Sequence, residues 1–153
     1  MPTTSWPSPT PPSRRRERGH PAAGTRWRGG IAALELLTAA WAVVGGVAML
    51  RDPLTPLGAS TDLIAGSPFD TFTWPGALLL GLVGIAPALL AAGLLLRVRG
   101  AVLLSAFFGV GMVAWIAVQW VLLADRLWLQ PLVLGVGVLI TVSALLAFRR
   151  GVR

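Results

Sequence analysis

Four long apolar stretches, at about residues 29–50, 75–96, 101–124 and 128–148, alternate with short polar joints along this chain of 153 residues. The first is interrupted only by Glu35 and Thr38. At about 1.5 Å per residue it reaches roughly 33 Å as a helix, enough to cross a bilayer. The stretches lack the polar face that a helix in a water-soluble domain presents to solvent. The pattern therefore predicts an all-α membrane protein with four transmembrane helices.

The joints fix how those helices run. Arg51, Asp52, Pro53 and Pro56 end the first span, since closely spaced prolines cannot continue a helix. Trp74-Pro75-Gly76 opens the second, with Pro75 suited to a first turn, and Arg97-Val98-Arg99-Gly100 turns the chain back. Asp125-Arg126 is a tighter joint still. Short joints make neighbouring helices antiparallel, so the expected architecture is an antiparallel bundle over residues 28–149. Pro87, inside the second span, predicts a local kink. Small residues at helical spacing, Ala39, Ala42 and Gly46 on the first span and Ala77, Gly81, Gly84, Ala88 and Ala91 on the second, predict faces of close helix contact. Gly137 and Thr141 extend the pattern to the fourth.

Two segments lie outside the spans. Residues 1–27 combine Pro, Ser, Thr and an arginine run, a mixture that cannot bury enough apolar surface to order itself and is read as a disordered tail. Residues 51–74 form a loop too apolar for a solvated linker, containing Leu54, Leu57, Leu63, Ile64, Phe69 and Phe72. It is expected to fold over the bundle, with a short helix near 60–65 capped by Ser60 or Thr61 and with Leu63 and Ile64 on the membrane surface.

Composition strengthens the membrane reading, with 55% hydrophobic residues and a mean hydropathy of +0.73. Charge then orients the bundle. All 13 basic residues are arginines, and 11 fall in the two tails and the joint at Arg97 and Arg99, leaving only Arg51 and Arg126 on the other side. By the positive-inside rule both termini are cytoplasmic and the 51–74 loop faces outward. This placement makes the pI of 11.9 a topological signal, and no nucleic-acid partner is expected. Trp27 and Phe148 on one side, and Trp74, Trp120 and Trp128 on the other, agree with interfacial aromatic belts. Arginine without lysine, amid abundant Ala, Gly and Pro, suggests a GC-rich bacterial genome of actinobacterial type and hence a multi-pass protein of the plasma membrane.

Candidate chemistry is sparse. Without cysteine there is no disulfide, thiol or iron–sulfur chemistry, and the single histidine, His20, lies in the tail, away from any haem in the bundle core. Asp52, Asp62 and Asp70 lack the spacing of a metal site, and no phosphate loop or catalytic triad is present. No catalytic residue, cofactor or metal is therefore assigned. Glu35 is the one acid within a span, about 9 Å inside its boundary, where an unpaired carboxylate costs on the order of 2–3 kcal/mol. It is either an ion-pair partner of Arg97 or Arg99 or a protonatable site, and Thr38, one turn on, offers it a hydrogen bond. Gln119 lies above Phe108, Met112 and Trp115 on one face of the third span, as an interhelical hydrogen bond or the wall of an outward-facing pocket.

The first span with Glu35, Ser67-Pro68-Phe69 followed by Pro75-Gly76, and Leu129-Gln130-Pro131 at the head of the fourth span resemble small four-helix bacterial membrane proteins of uncharacterised families. The layout is also similar to DoxX-like membrane proteins. The resemblance covers about residues 28–148 and implies a bundle without a settled activity. Two functions stay open: a non-enzymatic bundle acting through another membrane protein, a second copy of itself or the envelope, and a small proton-coupled carrier using Glu35. The lipid bilayer is the partner common to both.

Overall fold

The computed structural model describes residues 21–122 and 129–152. The joint at Asp125-Arg126 and nearly all of the expected disordered tail lie outside the described residues. Four helices are long and apolar enough to cross a membrane. They are α1 (Pro21–Arg51), α2 (Thr73–Leu95), α3 (Ala101–Leu122) and α4 (Leu129–Arg149). The chain is an all-α, multi-pass membrane protein. Large apolar side chains stand exposed along all four helices, among them Leu37, Val44, Leu82, Leu89, Leu104, Phe107, Leu132 and Val142. Contiguous exposed apolar surface on that scale belongs in lipid.

The helices close a ring in which α1 packs against α2 and α4, α3 packs most extensively against α4, and α2 meets α3 at their shared turn. Small residues bring the backbones together. A Cβ placed on Gly46 would lie 3.0 Å from the Gly76 carbonyl, and one on Gly109 would lie 2.7 Å from the Gly137 carbonyl. On α1 the expected stripe of Ala39, Ala42 and Gly46 is buried. On α2 the contact face runs instead through Gly76, Gly84, Pro87, Ala91 and Leu94, and Ala77 and Gly81 are exposed. The shift has a local cause. Residues Leu79–Ile85 form a π-helical turn, and Ala86 donates to the Gly81 carbonyl five residues back. Pro87 has no N–H and its ring crowds the preceding turn, so the wider turn resolves the strain and advances the face by about one residue.

Helix α1 is already formed at Pro21, the first described residue, eight residues before the apolar stretch expected at 29. The polar residues Thr25, Arg26 and Arg28 mark where the membrane ends, but they do not end a helix. Its start lies beside the end of α4, with the Arg150 guanidinium 4.9 Å above the Trp27 ring. Between α2 and α3, Arg97 adopts a positive φ of 58° and Gly100 one of 86°. The Val98 N–H donates to the Gly93 carbonyl at 2.8 Å, closing α2 with a left-handed cap at Arg97.

The loop from Asp52 to Phe72 is closed by the Phe72 N–H donating to the Pro53 carbonyl at 2.9 Å, and its Pro56–Gly58 turn packs against α1. Its short helix is a 3₁₀ turn, Thr61–Ile64, capped by the Ser60 side chain, which accepts from the Asp62 N–H. Ile64 and Phe72 are buried. The expectation that Ile64 lies on the membrane surface is corrected: a 3₁₀ turn sets neighbouring side chains about 120° apart and directs Ile64 inward.

Candidate functional site

The buried face of α1 advances by three or four residues through Ile31, Ala32, Glu35, Ala39 and Ala42. Glu35 is therefore carried into the bundle by the same periodicity that buries its apolar neighbours. The surrounding core combines Ile31 and Ala32 with Ala91 and Leu94 of α2, Ala101, Val102 and Ala106 of α3, and Ala144 and Ala147 of α4. Glu35 is 0% exposed, and so is Ser105 of α3.

Ser105 is the polar side chain facing the carboxyl group. Its hydroxyl donates to the Ala101 carbonyl of its own helix at 2.9 Å. A serine has one proton to give, so satisfying Ala101 leaves none for Glu35. Neither carboxyl oxygen has a hydrogen-bond partner among the described residues. The pairing expected with Arg97 or Arg99 is not made, because both arginines are exposed at the turn and Arg97 is held by its role in the helix cap. Thr38 does not serve Glu35 either: its hydroxyl donates to the Leu34 carbonyl at 2.8 Å. Back-bonding of this kind is a common resolution for a hydroxyl inside an apolar helix.

At the opposite end, Gln119 is half-buried above a buried Met112, a half-buried Phe108 and a partly exposed Trp115. No described residue hydrogen-bonds to its amide. The contacts of Gly109 with Gly137 and Thr141 set an antiparallel register that places Gln119 at the level of Gln130. Gln130 is 3% exposed, and neither its amide oxygen nor its nitrogen has a partner among the described residues.

Sequence reasoning passed over three of these residues. Ser105 and Gln130 were visible as polar letters, but nothing in the sequence distinguished their azimuth from that of a residue facing lipid or headgroups. Trp41 carried no polar signal. It is 71% exposed, ten residues or about 15 Å before the end of α1, which puts its indole near the middle of a hydrocarbon layer about 30 Å thick.

In the loop, Asp52 accepts from the Thr55 N–H at 3.0 Å, the Thr55 hydroxyl at 2.8 Å and the Leu54 N–H at 3.3 Å. The backbone bond from Thr55, then its hydroxyl, holds the carboxyl below the ordinary aspartate range. Asp62 accepts from the Ser60 hydroxyl at 2.8 Å. These carboxylates cap and staple the loop. Comparison of the chain with protein-family models, with curated proteins and with solved structures returns no match.

Proposed function

We propose that the chain is a non-enzymatic bundle of the bacterial plasma membrane, both ends cytoplasmic, that acts by lateral contact with another membrane protein or a second copy of itself. The orientation is supported by charge. The end carrying both described termini holds Arg26, Arg28, Arg97, Arg99, Arg149 and Arg150, whereas the loop end holds Arg51 with Asp52, Asp62 and Asp70 among the described residues. Reporter fusions at residue 60 and at the C-terminus test it, and same-side signals would reject it.

The observation that carries the partner reading is Trp41. An indole has an N–H donor and no acceptor, and tryptophan concentrates at interfaces, where that donor meets water or headgroups. Here it is exposed near mid-span between Leu37 and Val44, and no described residue accepts from it. A neighbouring helix supplying a carbonyl or hydroxyl satisfies a donor that lipid tails cannot. Trp41→Leu preserves the apolar surface and removes the donor. It is expected to reduce the mass of the complex extracted in mild detergent to that of the single chain in its micelle. An unchanged mass rejects the reading.

The second reading, a small proton-coupled carrier, is favoured by the unpartnered carboxyl group of Glu35 beside Ser105. It requires a proton or solute flux in reconstituted vesicles that Glu35→Gln abolishes. Absence of flux in the wild type across a solute panel removes it.

A further inference from the structure

The geometry points to a groove that binds one anionic phospholipid at the end of the bundle carrying both termini. The groove lies between α1 and α4 and has a volume of about 290 Å³. Arg26 and Trp27 stand at its mouth, Gly30, Ile31 and Leu34 continue along α1, and Leu139 and Ser143 form the facing wall. From Arg26 to Leu34 is eight residues, about 12 Å of helix, so the trough runs from headgroup level into the hydrocarbon layer. It is cationic at the shallow end and apolar at the deep end, as a phospholipid is anionic at one end and apolar at the other.

Three details support this occupant. Gly30 opens the trough, because a Cβ there would meet nothing within 4 Å. Arg150 lies over the Trp27 ring at 4.9 Å, which brings a second guanidinium to the mouth and stacks it on the indole. The only acid described at this end is Glu35, sealed in the core, while Asp52, Asp62 and Asp70 lie in the opposite loop. A phosphodiester at the mouth therefore meets two guanidinium groups and no competing carboxylate among the described residues. Basic pockets between helices are the usual means by which membrane proteins select anionic lipids. A free phosphate would leave the apolar walls unused, whereas one acyl chain covers them.

The test uses the full chain in dodecylmaltoside, with lipid retention read by native mass spectrometry after addition of dioleoylphosphatidylglycerol, dioleoylphosphatidylcholine or glycerol 3-phosphate. One phosphatidylglycerol is expected to be retained, with phosphatidylcholine held at least about five-fold more weakly, the ratio equivalent to about 1 kcal/mol per juxtamembrane cation. Arg26→Gln, an exposed position, is expected to weaken phosphatidylglycerol retention by about the same factor. Gly30→Leu, at a position where an added Cβ meets nothing within 4 Å, projects a side chain into the trough and is expected to abolish retention, whereas Gly111→Leu, whose Cβ is equally unobstructed, leaves it intact. Equal retention of both lipids, persistence in Gly30→Leu, or full competition by glycerol 3-phosphate would each overturn the assignment, the last by identifying a simple anion site.

Discussion

Replacing Glu35 with leucine should make the bundle more stable. The side chain is 0% exposed, and both carboxyl oxygens lack a hydrogen-bond partner among the described residues. Leaving a buried polar group unsatisfied costs about 1–3 kcal/mol, more if it is charged, and a carboxylate at bilayer centre costs about 2.5–3.5 kcal/mol on insertion scales. Its depth of about 9 Å from the span boundary argues for the lower part of that range. Unfolding in a micelle releases the carboxyl to water while α1 stays helical, so most of the cost belongs to the folded state. Leucine is of similar length and carries no polar atom to leave unsatisfied. The expected gain is about 1–3 kcal/mol, read as a higher SDS fraction at the midpoint of unfolding in dodecylmaltoside/SDS micelles. Glu35→Gln keeps an unsatisfied polar group and should gain less than leucine. A loss of more than about 1 kcal/mol in Glu35→Leu would refute the reasoning, since only a partnered carboxyl stabilises its surroundings that much.

The glycine contacts yield a paired prediction: Gly109→Ala drives a methyl into the backbone of Gly137 and Thr141 and should cost about 3 kcal/mol, whereas Gly111→Ala, with open space around it, should change stability by less than about 0.5 kcal/mol. Equal unfolding midpoints for the two variants would mean that α3 and α4 do not approach as described. For Asp52, whose folded pKa lies below its unfolded value, the loop's stabilisation is complete above the ordinary aspartate value of about 3.9 and is lost as pH falls through the lower folded value. The Thr55 amide resonance should therefore titrate with a midpoint below about 3.9, and a midpoint at or above it would show that the carboxylate does not hold the loop. Arg97→Gly removes a side chain from a left-handed position and should raise the unfolding free energy by about 1 kcal/mol, seen as a higher unfolding midpoint, with no change if the cap is absent.

The fold was legible because bilayer thickness turns a one-dimensional property into a three-dimensional one. A run of about twenty apolar residues has to cross, and a joint of a few residues has to return it antiparallel. The limits of α2 at 73 and 95, the start of α3 at 101 and the end of α4 at 149 accordingly fall close to the expected 75, 96, 101 and 148. Depth along a helix could also be read, which is why Glu35 stood out. The start of α1 was not legible, because hydropathy reports the membrane boundary and a helix can continue past it into water, as α1 does to Pro21.

Azimuth was the larger gap. In a soluble helix the polar face identifies the outside, but a membrane helix is apolar all round, so periodicity carries little information about which face packs inward. On α2 even the spacing of small residues misled, because the π-helical turn before Pro87 offsets the two halves and turns Ala77 and Gly81 outward. The same loss of azimuth hid the difference between Thr38 and Ser105. Both back-bond to their own helices at nearly equal distances, yet Ser105 faces the Glu35 carboxyl and Thr38 does not. The distinction bears on function, since rotation about a single bond could transfer the Ser105 hydroxyl from Ala101 to Glu35. Ser105→Ala separates the two readings of Glu35. In a bundle that acts only through a lateral partner it should leave the mass of the extracted complex unchanged, whereas in a proton-coupled carrier it should alter the pH dependence of flux.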